Sequence, residues 1–469
     1  MAGPPVAGHA PVLDLAFLGF LAALILIGFK RPFVWVLAYI YVDIVSPQKM
    51  SWGVLNIIPI SLLLFIAAFA GWLLLDDKRD ARFAWRQGLM VLLLVYCGLT
   101  TLGSAFPEPA FFKWDWVWKS LLFAIFLPLA LRTKLRIEAT LLVMVLSVGA
   151  IVISGGIKTV LGGGGYGTLR LLVDNNTGLY EGSIISTVAI SIIPLILYLV
   201  KHGTIFPRDW RVTLFAVGLV FACCLMPIGT TARTGLVCLA VLAVLLLRST
   251  KRRFLYLGLA GAAGLMAVPF LPQTFTERMA TIGDHEADQS ASTRIAVWKW
   301  TLDYVQSHPF GGGFEAYRAN DLRFKTTVTE TVGGTTVVTE QVVEDSSRAY
   351  HSSYFELLGE QGYPGFGIWL LLHLAGVWQM EVLRRRWKKR EEPGQDWQAA
   401  LANALQQCHL VYLAGAAFVG IGYQPFPLLV VAVQCGLWSY LKRLDRQAVE
   451  ARTTPPAATR MKPVGAAAS

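Results

Sequence analysis

Residues Leu179 to Val200 read LYEGSIISTVAISIIPLILYLV, and after Glu181 no charged side chain appears before Lys201. A hydrocarbon core about 30 Å thick takes roughly 20 residues of helix to cross. The run has that length. It is closed by Lys201-His202, then Arg208 and Arg211, and a second apolar run follows over 212–229. Read outward from this pair, the same unit recurs at 12–29, 32–47, 54–75, 88–106, 114–131, 137–157, 233–247, 254–271, 354–382, 403–421 and 426–441. The backbone in lipid must satisfy its hydrogen bonds within each segment. The fold expected is therefore an all-α polytopic membrane protein, a bundle of about 12–13 transmembrane helices with one large external loop.

Composition agrees. Of 469 residues, 55% are hydrophobic and 15% charged, with a mean hydropathy of +0.53, far from soluble averages. A net charge of +11 could signal nucleic acid, so the placement of the cations decides. They gather in alternate connections: Lys30-Arg31, Lys78 to Arg86, Arg132 to Arg136, Lys201 to Arg211, Arg248 to Arg253, Arg384 to Arg390 and Lys442 to Arg446. With three more in the tail, these hold 28 of the 41 Lys and Arg. That is the positive-inside pattern of cytoplasmic loops, and no nucleic-acid partner is needed to explain it.

The alternation puts the N-terminus and residues 272–350 outside and the C-terminus inside. The expected organisation is an N-terminal bundle over 1–271, the external loop over 272–350, C-terminal helices over 351–445 and a disordered cytoplasmic tail over 446–469. The tail contains Thr453-Thr454-Pro455-Pro456 and a final Ala run. The first segment lacks a charged n-region and a small-residue cleavage site, so it is read as retained. Cys97, Cys223, Cys224, Cys238, Cys408 and Cys435 all lie in or beside apolar segments. Their spacing gives neither a disulfide framework nor a zinc site.

Charge is costly in lipid, so ionisable residues collected near one side are candidates for function. Gly162 to Gly167 looks like a phosphate-cradling loop but lacks the Lys-Ser/Thr of a nucleotide site, and a flexible turn is the better reading. Arg170, Asp174 and Asn175 after it either line a polar site or form an ordinary interfacial loop. Arg233, within Gly229-Thr230-Thr231-Ala232-Arg233-Thr234-Gly235, offers a fork of donors suited to phosphate; the alternative is snorkelling to lipid headgroups. Residues 292–307 form an amphipathic helix with Arg294 on its first turn and Trp298 and Leu302 on one stripe, lying along the interface. Pro309-Phe310-Gly311-Gly312-Gly313-Phe314 breaks it, and Lys325 to Val343 alternates about Gly333-Gly334 as a hairpin. The chain re-enters the membrane through Arg348-Ala349-Tyr350-His351-Ser352, with Glu356 and Glu360 following and His351, Phe355 and Leu358 expected on one helical face. Histidine accepts a proton near neutral pH, as activation of a hydroxyl requires. Lys119, inside the fifth span, needs a partner or a polar cavity unless it snorkels. Asp284, His285, Glu286 and Asp288 read as a solvated loop rather than a metal site.

The Gly-rich break followed by His351-Ser352, Glu360, Gly362 and Gly365 resembles the core motif of the bacterial O-antigen ligase and polymerase superfamily. Arg233 and Arg294 match two further arginines of that pattern. Arg31-Pro32-Phe33, Ser46-Pro47, Ser51-Trp52-Gly53, Gly155-Gly156 and Asp174-Asn175-Asn176 also resemble the branch of O-glycosylation ligases found beside exosortase systems. The resemblance implies metal-independent, inverting glycan transfer in the bacterial inner membrane, with the active site facing the periplasm and no cofactor. The implied donor is an undecaprenyl-diphosphate-linked glycan, and the acceptor is a lipid A-core sugar hydroxyl. Alternative acceptors are a protein Ser or Thr and a growing exopolysaccharide. It gives His351 as catalytic base and Arg233 and Arg294 as donor-diphosphate ligands, while Glu356 or Glu360 either orients the imidazole or serves helix packing; Lys119 joins the donor-binding residues on its intramembrane position alone. A lipid-linked glycan transporter is the reading from a different class, though the internal repeats such machines carry are not evident.

Overall fold

The computed structural model describes residues 10–50, 57–79, 81–161, 178–248, 289–332, 335–389 and 396–453, with isolated positions between 252 and 279. Its helices are α1 (Ala10–Lys30), α2 (Phe33–Val45), α3 (Ile60–Leu74), α4 (Trp85–Leu102), α5 (Pro107–Ala130), α6 (Lys134–Leu161), α7 (Gly182–His202), α8 (Trp210–Gly229), α9 (Arg233–Leu247), α10 (Gln289–Ser307), α11 (Ser353–Lys388), α12 (Asp396–Ala416) and α13 (Pro425–Thr453). Strands β1 (Asp321–Val332) and β2 (Thr335–Ser346) pair antiparallel, with Asp321 opposite Ser346 and Val332 opposite Thr335.

The chain is an all-α polytopic membrane protein with one β-hairpin. Twelve of these helices, all but α10, fall on expected spans, and five (α4, α6, α7, α8 and α11) are long and apolar enough to cross a membrane by length and composition alone. The expected span over 254–271 lies mostly outside the described residues, and Gly162 to Gly167, Arg170, Asp174, Asn175 and the cluster Asp284 to Asp288 lie wholly outside them. Several boundaries differ from the expectation by a turn or more, α12 among them, which starts at Asp396 rather than 403. Helix α5 starts at Pro107, which presets the first helical turn, with Glu108 beside it at the positive end of the helix dipole. Helix α13 runs to Thr453, past the expected start of the disordered tail at residue 446.

Helix α7, the stretch first quoted, is the hub. It carries no charge before Lys201 in its last turn and is buried on nearly every side, as a helix apolar all round must be. Two of its polar side chains turn back on their own backbone: Thr187 Oγ1 donates to the Ser183 carbonyl at 2.9 Å and Ser191 Oγ to that of Thr187 at 2.7 Å. Helices α6, α8, α9 and α12 pack around it.

The two sets of connections separate to opposite ends of the bundle. At one end the basic connections hold one another: Arg136 pairs with Asp76 at 2.6 Å, Arg248 with Glu381 at 3.1 Å and Arg386 with Asp445 at 2.9 Å. There too, Arg443 donates to the Arg132 carbonyl, Thr204 bonds Glu138, and the Arg136 guanidinium lies over Phe33. At the other end, Ser186 bonds Thr230 at 2.8 Å, Ser353 Oγ donates to the Val419 carbonyl at 2.8 Å and Lys113 meets Glu356 at 2.7 Å. Between the ends runs an interior polar chain in which Arg86 donates to Gln434 (3.1 Å), Gln434 meets His409 (3.0 Å) and His409 meets His373 (2.6 Å).

Helix α10 buries Thr293, Val297, Thr301 and Val305, spaced four residues apart, whereas Leu302 is exposed. The stripe expected from Trp298 and Leu302 is thus displaced. Threonine is small enough to enter the face and hides its hydroxyl on the helix, Thr301 Oγ1 donating to the Val297 carbonyl at 2.8 Å. That face meets Leu322 and Tyr350, so α10 is packed on the loop and the start of α11.

Candidate active site

The Gly-rich break is a backbone-to-backbone splice. Gly312 N–H donates to the Gly359 carbonyl (3.1 Å), Gly313 N–H to that of Glu360 (2.9 Å) and Tyr363 N–H to that of Pro309 (2.9 Å). Helix α11 is kinked where this happens, with Gly362 at φ +61° and ψ −167°, a region open to glycine alone. A Cβ at Gly362 would run into the Pro309 carbonyl and the Gly311 amide. Gly362→Ala is therefore expected to cost about 1–3 kcal/mol from the backbone conformation alone, read as a lowered thermal midpoint in detergent. Gly367→Ala, where a Cβ meets nothing within 4 Å, is the matched control.

Splicing the loop to α11 assembles a buried ionic cluster. Lys113 Nζ lies 2.7 Å from Glu356 Oε1 and 2.8 Å from Glu360 Oε1, and Glu360 also accepts the Glu315 N–H at 3.0 Å. Glu356 takes the Gly422 N–H at 3.2 Å. The rings of Phe314 and Tyr423 flank the ammonium, with centroids at 5.5 and 5.1 Å. Lys113 and Glu315 were not singled out from the sequence. Glu356 and Glu360 were, as groups to orient His351; their oxygens go instead to Lys113 and to backbone amides. Among the described residues, neither carboxylate is hydrogen-bonded to His351. The signal that could have pointed to Lys113 is a cation set among Phe111, Phe112 and Trp114, where a lone charge demands partners.

His351 does not share a helical face with Phe355 and Leu358, because α11 starts two residues later. Its backbone is left-handed, φ +48°, and Ser352 is extended at the helix cap. Several bonds fix this turn. Asn320 clasps Arg348 from both sides, Nδ2 donating to its carbonyl at 2.8 Å and Oδ1 accepting its N–H at 2.9 Å. Trp298 Nε1 donates to the Tyr350 carbonyl at 2.9 Å, and its ring stacks flat on Phe355 with centroids 4.9 Å apart. Arg294 precedes Trp298 by four residues and so shares its face of α10, the face turned toward the His351 turn. His351 keeps part of its surface open, yet crowding by packed loop atoms pushes its pKa down to about 4, with the charges of Arg294 and Arg348 adding to the shift. The imidazole is neutral at physiological pH.

Arg233 opens α9 at this same end. Its corner is set by the Ser186 to Thr230 bond and by Gly235, where a Cβ would strike Pro227 and Ser186. The structure thus sets Arg294 and Arg348 near enough for their charges to act on His351, while Arg233 reaches this end through a separate corner. Lys119 lies farther along α5, lining a cleft of about 690 Å³ with Asp43, Lys49, Trp116 and Gln424. Its ammonium is bonded to both oxygens of Asp115, at 2.9 and 2.8 Å. Among the described residues no group of three or more His, Cys, Asp or Glu is arranged to hold a metal ion, and all six cysteines are free thiols.

Comparison with known families divides the chain in two. Residues 12–204 match a family of unknown function (DUF5935), and residues 218–370 match the family described as O-antigen ligase. No curated protein and no solved structure matches. The second match spans Arg233, Arg294, His351, Glu356 and Glu360, whereas Lys113 comes from the first, so the N-terminal family supplies the cation that closes the ligase domain's acidic cluster. Residues 218–370, mounted on a bundle of membrane helices, are thus similar to the O-antigen ligase family, a likeness that supports glycan transfer of the ligase and polymerase kind.

Proposed function

We propose that the protein transfers a glycan from an undecaprenyl-diphosphate carrier to an acceptor hydroxyl, at the periplasmic face of the bacterial inner membrane and without a metal ion. The observation that carries this reading is a neutral imidazole held in a left-handed turn beside Arg294 and Arg348, at the end of the bundle away from the basic connections. By the positive-inside rule those connections are cytoplasmic, which turns the His351 end outward.

In the reaction, His351 accepts the acceptor's O–H proton as the acceptor oxygen attacks the anomeric carbon. The bond from that carbon to the diphosphate oxygen breaks, and undecaprenyl diphosphate departs with its charge on Arg233 and Arg294. The imidazolium then releases its proton to solvent. Attack opposite the leaving group inverts the anomeric centre. Lys119, neutralised by Asp115, serves the donor from the adjoining cleft rather than as a bare cation on the diphosphate. The acceptor is a lipid A-core sugar; mass spectrometry of glycolipids and glycoproteins from a deletion strain separates it from a protein Ser or Thr or a growing exopolysaccharide.

The pH profile tests the base. A pKa lowered from the ordinary histidine value to about 4 leaves the imidazole unprotonated across the neutral range, and it is protonated only as pH falls through about 4. Since kcat/KM reports the free enzyme, it should stay flat from about pH 8 to pH 5 and fall below that. An acid limb centred near the ordinary histidine value, about 6.5, would remove His351 from the role or its setting from the explanation.

A further inference from the structure

A cavity lies at the basic end, away from the His351 end of the bundle. Helices α4, α11 and α13 pack on one another, and where they meet at this end they leave a cavity of about 530 Å³. Arg82, Arg386, Lys442 and Arg446 line it against a single carboxylate, Asp445, which is already paired with Arg386 at 2.9 Å. Trp85 and Trp438 complete the wall, and the Lys442 ammonium sits over the Trp438 ring at 4.8 Å. Positive-inside signalling needs cations near the membrane but does not need them to share one concave pocket. Away from the pocket, along the same helices, Leu92, Val95 and Leu99 of α4 and Leu371, Leu374 and Trp378 of α11 are each exposed by half or more. Cations, interfacial tryptophans and an apolar face in sequence along the bundle match a phosphate headgroup followed by acyl chains.

We propose that this pocket binds the headgroup of an anionic phospholipid, with its acyl chains lying along α4 and α11. A free phosphate would satisfy the cations equally but would leave the apolar faces unused. Each surface cation contributes about fivefold to anionic-lipid binding, so removing three should weaken it by about a hundredfold. The experiment titrates purified full-length protein in neutral detergent with diphosphatidylglycerol, phosphatidylcholine, glycerophosphoglycerol and inorganic phosphate, following bound lipid by native mass spectrometry. Arg82→Gln, Lys442→Gln and Arg446→Gln are combined in one variant; all three side chains are exposed, so the fold is not at stake. A control variant, Lys201→Gln with Arg208→Gln and Arg211→Gln, removes the same charge elsewhere at this end. The expected result is tight diphosphatidylglycerol binding, weakened about a hundredfold in the first variant and less than about threefold in the control. Equal loss in both variants, no loss in the first, or equally tight binding of glycerophosphoglycerol or phosphate would each overturn the proposal.

Discussion

His351→Ala is expected to lower glycan transfer by about 10²–10⁴-fold, the usual contribution of a positioned general base, with membrane insertion and thermal midpoint close to wild type. The second half of that expectation follows from the local structure. The imidazole is partly open to solvent, and the turn that holds it is built from neighbours: Asn320 on Arg348, Trp298 on Tyr350 and Phe355, and Ser353 on Val419. Alanine at φ +48° is strained as histidine is, so the substitution removes chemistry and little packing. The measurement is single-turnover transfer from a purified lipid-linked donor. Transfer within a few-fold of wild type would mean that the proton goes elsewhere.

Lys113→Ala should do the reverse, costing the fold before the chemistry. It would leave Glu356 and Glu360 facing each other in a buried site with their ammonium gone, and removing one partner from a buried ion cluster typically costs about 3–5 kcal/mol. Because Glu360 also holds the Glu315 amide, the loop carrying Phe314 and Glu315 should loosen with it. The thermal midpoint in detergent should drop sharply, and limited proteolysis should open the loop between Pro309 and Asn320. Neutralising the whole cluster, with Lys113→Met, Glu356→Gln and Glu360→Gln together, should recover much of the loss, since uncharged replacements escape the desolvation cost. If the single variant were as stable as wild type, the cluster would not be what ties α5 to α11.

The helical membrane fold was legible because span length and basic stops are local signals. A run such as 179–200 announces its own helix without reference to the rest of the chain, and the alternation of cations anticipated which connections share an end. The site was half legible. His351, Arg233 and Arg294 stand in a recognisable spacing, but Lys113 is separated from Glu356 and Glu360 by 243 and 247 residues and belongs to the other family half. No periodicity connects them. The expected span over 114–131 leaves Lys113 just outside it and places Lys119 within, where an intramembrane cation draws attention. The left-handed turn at His351 escaped for a related reason: helical spacing predicts a face, and a backbone φ imposed by Asn320 and Trp298 from elsewhere in the loop leaves no mark at residue 351. On α10, ranking residues by hydrophobicity favoured Leu302 over the threonines that are buried.

In the proposed reaction fixed guanidinium groups grip a diphosphate while a separate, uncharged ring receives a proton, and donor affinity separates the two tasks. Equilibrium binding of undecaprenyl diphosphate should be weakened tenfold or more by Arg294→Ala and by Arg233→Ala, each removing a charge-assisted contact of about 1.5–3 kcal/mol, and left unchanged by His351→Ala. Wild-type affinity in both arginine variants, or loss of affinity in the histidine variant alone, would contradict it.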